Sequence, residues 1–172
     1  MYRFLLIGIL SLTVGLPTLN TSMAQENRIS IRGSNLEIPR FVTLKTGLVN
    51  MRTGPGKNYP IKWQYQRRHL PMKVIGEFDV WRKVIDHEGV TGWMHVSTLS
   101  VKRMALIIDT TVKVHSDDAP DARVKAVAEK GALVELETCR GGWCKITAQD
   151  ITGWVRRVSI WGLLEGEGFG QP

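Results

Sequence analysis

Trp81 opens the stretch WRKVIDHEGVTGWMHVSTL, and Trp143 opens WCKITAQDITGWVRRVSIW. These tryptophans lie 62 positions apart, and the next two, Trp93 and Trp154, lie 61 apart. Upstream, LVNMRTGPG aligns with TVKVHSDDAP, which sets Val49 against Val112. Between these anchors LPMKVIGEF aligns with ALVELETCR. A chain that repeats itself in this way holds two copies of a unit of about 60 residues. Two copies are too few for a solenoid, so each copy is read as a small domain.

The local pattern within each copy is β. Met72, Val74 and Val84 alternate with polar neighbours, as do Val134, Leu136 and Ile146. A period of two marks strands with one buried face. Turn-forming stretches punctuate them: TGPGKNYP, DHEG, SDDAPDA, RGG and AQD. No stretch keeps a capped 3.6-residue period, so only short helical turns are expected, near Val96–Thr98 and Arg157–Ser159. The fold class is therefore all-β, with a small barrel or sandwich in each copy. A unit this small buries only about 60% of its unfolded surface, so each copy needs its neighbour or a covalent staple. The connection SVKRMALIIDTT has no flexible spacer, and its apolar run from Met104 to Ile108 reads as a strand that starts the second copy at once. The expected division is 1–24 signal peptide, 25–39 N-terminal extension, 40–103 first domain, 104–164 second domain and 165–172 flexible tail.

The N-terminus carries one early positive charge, Arg3, then an apolar run from Phe4 to about Leu16. Ser22-Met23-Ala24 supplies the small residues of a cleavage site, which is the layout of a secretory signal peptide. The run is too short for a span of about 20 residues and is broken by Gly15 and Pro17. The mature chain is thus expected in a periplasm or outside the cell, without a stable membrane span. The net charge of +7 is unevenly placed. Residues 40–103 carry twelve Lys/Arg against four Asp/Glu, and residues 104–164 carry eight of each. A basic surface attracts acidic polymers or anionic head groups, and export removes nucleic acid from the partners considered.

Cys139 and Cys144, in CRGGWC, are the only cysteines. Gly141-Gly142 fits a two-residue hairpin turn with positive φ at both centres. Arg140 and Trp143 then close the turn, and Cys139 faces Cys144 across a pair about 4.5 Å apart at Cα. In an oxidising compartment that pair is read as a disulfide. A metal site needs four ligands, and His69, His87, His95 and His115 all lie far from the cysteines in sequence. Redox catalysis prefers Cys-x-x-Cys at a helix start. GPGKNYP lacks the phosphate-loop frame, and Pro55 removes a backbone N–H. No cofactor, metal or catalytic constellation is assigned, and the chain is read as non-enzymatic.

The stretch LVNMRTGPGKNYPIKWQYQRRHLPMKVIGEFDVWRKVIDHEGVTGWMHVSTLS resembles the bacterial SH3 domain (SH3b), in particular an exported alphaproteobacterial type. VNMRTGPG, VWRKV and TGWMHVSTL carry the likeness, and ETCRGGWCKI with TGWVRRVSIWG resembles the partner domain of such tandems. The resemblance implies two SH3-like barrels and a binding or scaffolding role in the cell envelope. The implied partner is a cell-wall peptide, peptidoglycan or an envelope protein; the alternative is a regulatory or inhibitory subunit of a cell-wall-modifying enzyme. The second copy departs from the pattern at VKVHSDDAP, so the first is the better recognition candidate.

The candidate ligand-binding residues are Trp63, Tyr65, Arg67, Arg68, Trp81 and Lys83. On a strand, Trp63, Tyr65 and Arg67 project to one face. Aromatic and arginine groups together recognise ligands by stacking and charged hydrogen bonds. The competing reading packs Trp63 and Tyr65 into the core or against the second copy and leaves the arginines to solvent. Trp81 and Lys83 are expected beside a groove, with Val84 in the core. Trp93 and Trp154, each after a glycine, read as packing residues.

Overall fold

A computed structural model describes residues 33–168 and Gly170, so the expected signal peptide at 1–24 lies outside the described residues. The first copy forms β1 (Arg40–Leu44), β2 (Val49–Arg52), β3 (Ile61–Tyr65), β4 (Pro71–Phe78), β5 (Trp81–Ile85), β6 (Thr91–His95) and β7 (Leu99–Ser100). The second forms β8 (Met104–Ile107), β9 (Thr111–His115), β10 (Val124–Glu129), β11 (Leu133–Arg140), β12 (Trp143–Ala148), β13 (Ile151–Arg156) and β14 (Ile160–Trp161). Each sheet has seven strands, in the order β3-β2-β6-β5-β4-β1-β7 and β10-β9-β13-β12-β11-β8-β14. The second order is the first with every strand advanced by one copy. Single 3-10 turns occupy Val96–Thr98 and Arg157–Ser159, as the sequence led us to expect.

The repeat extends to the irregularities. The β4–β5 register shifts at Ile75, and the β11–β12 register shifts at Glu137. The β2–β3 ladder shifts at Lys62, and the β9–β10 ladder at Lys125. Each bulge turns one extra side chain out of the alternation. Lys62 uses it to donate from Nζ to the Thr91 carbonyl at 2.8 Å, and Lys125 donates likewise to the Thr152 carbonyl.

The two hairpins β4–β5 and β11–β12 are fastened at the same register by different chemistry. Cys139 faces Cys144 with Cα atoms 4.1 Å apart, and they form a disulfide. The equivalent pair in the first copy is Glu77 opposite Arg82, an ion pair of 3.1 Å. The expectation of positive φ at both turn glycines is corrected: only Gly141 is left-handed, at φ 54°. That is the sign pattern of a turn with one left-handed residue at its first centre. Asp79, at φ 48°, holds the same place in the first copy, where a short polar side chain tolerates that region.

Val42, Leu44, Val49, Met51, Met72, Val74, Val84 and Met94 make the first core; Ala105, Ile107, Val112, Val134, Ile146 and Val155 belong to the second. The cores are not independent. Leu106 is buried in the first, and Leu133 and Trp161 pack against it. All four residues of β8 are buried because both faces of the strand are covered, which explains its unbroken apolar run. Phe41 meets Trp161 edge-on at 5.2 Å, Lys73 lies over the same indole, and Lys102 pairs with Glu135 at 2.7 Å. Among the described residues no helix is long and apolar enough to cross a membrane.

Candidate binding face of the first copy

Alternation along β5 and β6 sends Val84 and Met94 inward and leaves Trp81, Lys83, Trp93 and His95 on the outer face. The register sets Trp81 opposite His95 and Lys83 opposite Trp93, and Arg52 on β2 pairs with Trp93 from the other side. Gly92 makes this possible. A Cβ there would lie 2.3 Å from Met51 Cγ and 2.9 Å from the Arg52 carbonyl, so only glycine lets β6 approach β2. Gly153 does the same in the second copy, 2.6 Å from the His115 carbonyl. The repeated Thr-Gly-Trp is therefore a close-packing signature, and the tryptophan that follows is left outward.

Two grooves run across this outer face. One, of about 320 Å³, is lined by Asn50, Arg52, Lys57, Trp81, His95 and Ser97 among others. The other, of about 360 Å³, is lined by Thr53, Lys62, Lys83, Thr91, Gly92 and Trp93. Among the described residues no carboxylate lines either groove. The indole of Trp81 is buried to 8% exposure and meets the His95 ring edge-on at 5.3 Å, so it forms a floor, not an open stacking platform. His95 Nδ1 lies 2.7 Å from Ser97 Oγ, and Arg52 donates to the Tyr59 carbonyl at 2.7 Å. Gln64 donates to Asn50 Oδ1 at 2.9 Å, which leaves the Asn50 amide N–H groups for a ligand.

Two of the four acidic groups of the first copy are buried away from this face. Glu77 is enclosed by Arg40 and Arg82. Asp86 is buried, accepting from the Tyr65 hydroxyl at 2.6 Å and from the backbone N–H groups of Glu88 and Val90. Burial first, and then that hydrogen bond to Asp86, pushes the Tyr65 phenol well above its ordinary pKa. Excess positive charge is thereby left on the outer face.

The second copy builds the same face and neutralises it. Lys145, the counterpart of Lys83, pairs with Glu137 at 2.9 Å. Arg140 lies over Trp154 at 4.7 Å, with its Nε 2.6 Å from Asp118 and with Asp117 close by at 3.9 Å. Arg156 covers Trp143, and His115 meets that indole edge-on. The Thr147 hydroxyl and then Lys145 hold Glu137 below the usual carboxylate range, and Arg140 does the same to Asp118. By the repeat, Glu137, Asp117 and Asp118 correspond to Ile75, Gly54 and Pro55. The first copy thus lacks all three acids that close the face of the second.

The six residues expected from the sequence do not converge. Trp81 and Lys83 lie on the outer face, each lining one of its grooves. Trp63 is 54% exposed on the edge strand β3, and Tyr65 is buried behind it, with ring centroids 6.5 Å apart. Arg67 reaches away and donates to the Gly131 carbonyl of the second copy at 2.6 Å. Arg68 is exposed beyond the strand end. Trp93, read as a packing residue, lines a groove. Asn50, Arg52, Lys57, His95 and Ser97 were missed. The signal for them was the contrast between VNMRTGPGK and VKVHSDDAP, which removes two acids from the same loop.

The family model described as bacterial SH3 domain matches residues 45–100 and again 109–162. No curated protein matches the chain. Similar solved structures include NlpC2 and NlpC1 from Trichomonas vaginalis, each at 12% identity and a TM-score of 0.33. They cover 73% and 76% of this chain, which spans about half of their length, 49% and 48%.

Proposed function

The chain belongs to the bacterial SH3 domain family, and on that premise we propose that it is a non-catalytic, exported binding module of the cell envelope. It takes a cell-wall peptide or an envelope protein on the outer face of the first copy. One observation carries this reading: the same aromatic and basic face is closed by its own acids in the second copy and left open in the first. Charged groups without partners around grooves of this size are recognition chemistry more than stabilising chemistry. The disulfide fits an oxidising compartment. Bacterial SH3 domains are cell-wall binding modules, which points to the class of partner.

Sedimentation with purified murein tests the reading. The exported protein should co-sediment saturably, and Lys57→Glu combined with Lys83→Glu should abolish this while leaving the fold intact. Trp81→Ala should weaken it through loss of the groove floor. Murein binding indifferent to all three substitutions would place the function elsewhere. Recovery of a single envelope protein from lysate, in place of murein, would favour the regulatory-subunit alternative. That outcome has its own structural support in the exposed edge strand β3, whose Ile61 and Trp63 are available for strand addition.

A further inference from the structure

We infer that the first copy recognises a peptide through its side-chain or terminal carboxylates, and that the second copy carries a built-in version of the same contact. The inference rests on the reading above and names the ligand chemistry of that face. Three observations combine. The sheets share order and bulges and keep the same residue at four outward positions, so Lys83 and Lys145 are equivalent, as are Lys62 and Lys125, Trp81 and Trp143, Trp93 and Trp154. In the second copy the groups seated on this face are carboxylates from two separate segments, Glu137 on Lys145 and Asp118 on Arg140; of those two cations the first copy keeps the lysine, as Lys83, and holds Phe78 in place of the arginine. In the first copy the positions that would supply the carboxylates hold Ile75, Gly54 and Pro55, while Lys57, Lys62, Lys83 and Arg52 still line the grooves.

The lining discriminates among anions. A phosphate polymer is gripped by clustered backbone N–H groups or several convergent guanidinium groups. Here one guanidinium is partly engaged by the Tyr59 carbonyl, and Pro55 withholds an N–H. The donors that remain are an ammonium group in each groove and the Asn50 amide, spread over an aromatic floor, the Ser97 hydroxyl being turned to His95 Nδ1. Separated single donors with apolar surface between them suit spaced carboxylates on a peptide. In the groove floored by Trp81 a neutral glycan would need an open indole face, and that buried ring does not present one.

The test is titration of the mature chain with Ac-Ala-Glu-Ala-Ala-Glu-Ala-amide and with the peptide in which both Glu are Gln, at low and at physiological salt. The Glu peptide should bind with salt-dependent affinity, and the Gln peptide roughly tenfold or more weaker. Ile75→Glu transplants the acid of the second copy to an exposed bulge position and should weaken the Glu peptide by a similar factor. Equal binding of the two peptides would overturn the inference, as would inorganic polyphosphate outcompeting the Glu peptide in a Lys83-dependent manner. If murein sedimentation is lost in Lys57→Glu/Lys83→Glu but the two peptides bind alike, the carboxylate inference fails and the binding reading stands. If murein ignores those substitutions while the Glu peptide needs them, the wall-binding reading fails and carboxylate recognition stands.

Discussion

Replacing Glu77 with Gln keeps the shape of the side chain and removes its charge. The Glu77 carboxylate accepts from the Ser34 N–H at 2.5 Å, the Ser34 hydroxyl at 2.8 Å and Arg40 at 2.5 Å, with Arg82 Nε at 3.1 Å. Its side chain is 5% exposed. Burial works to raise its pKa, but the hydrogen bonds from Ser34 and Arg40 and the Arg40 charge outweigh it, and hold it at about 2 against an ordinary 4.5. At about 1.4 kcal/mol per pH unit, that displacement corresponds to about 3 kcal/mol of folding free energy. Removing one partner of a buried pair costs about 3–5 kcal/mol by an independent route, because Arg82 is left buried without its counter-charge. The folded pKa is depressed, so the contribution is complete above the unfolded value near 4.5 and disappears as pH falls towards 2. Urea unfolding followed by tryptophan fluorescence should therefore show Glu77→Gln less stable by about 3 kcal/mol at pH 7, with the gap closing between about pH 5 and pH 2. A gap below about 1 kcal/mol at pH 7 would refute the reasoning, as would a gap that is the same at pH 2.5 and at pH 7.

Three further outcomes are expected. Gly153→Ala should cost about 1–3 kcal/mol in denaturant melts, and more than Gly92→Ala: its added methyl meets backbone at 2.6 Å, whereas that of Gly92 first meets the bendable Met51 side chain. Equal costs would show that backbone rigidity is not the deciding term. The double variant Cys139→Ser/Cys144→Ser should lose about 2 kcal/mol, the chain-entropy value for so short a loop, and its urea midpoint should no longer respond to reductant. Trp161→Ala removes the contact with Phe41 and the filling between the copies, and should cost about 3–5 kcal/mol. Calorimetry should then resolve two transitions in place of one, and an unsplit transition would contradict a shared core.

Much of the architecture was legible because it depends on local chemistry. Alternating apolar residues gave the strands, glycine and aspartate gave the turns, and CRGGWC gave the Cys139–Cys144 register. The repeat gave the tandem arrangement. What escaped depends on partners distant in sequence. Tyr65 looks like Trp63 in sequence, yet it is buried because Asp86, from the β5–β6 turn, accepts its hydroxyl. Trp63 is exposed because β3 is an edge strand, which no local pattern reveals. Arg67 lies past the strand end, where the Gly131 carbonyl of the second copy captures it. The grooves draw on β2, the loop after it, β5, β6 and the turn that follows, so no single stretch advertises them. The comparison of the copies with one another would have found them: an acid-bearing loop in one copy, and an acid-free loop at the same place in the other.

The two hairpins are held by clasps that answer to different reagents. Acid opens the one between Glu77 and Arg82, and a thiol opens the one between Cys139 and Cys144. Neither reagent touches the other clasp, so each half of the molecule has its own key. Leu106 sits in the core of the first half while its strand belongs to the second, which makes the lock double: loosening either half draws on the packing of both.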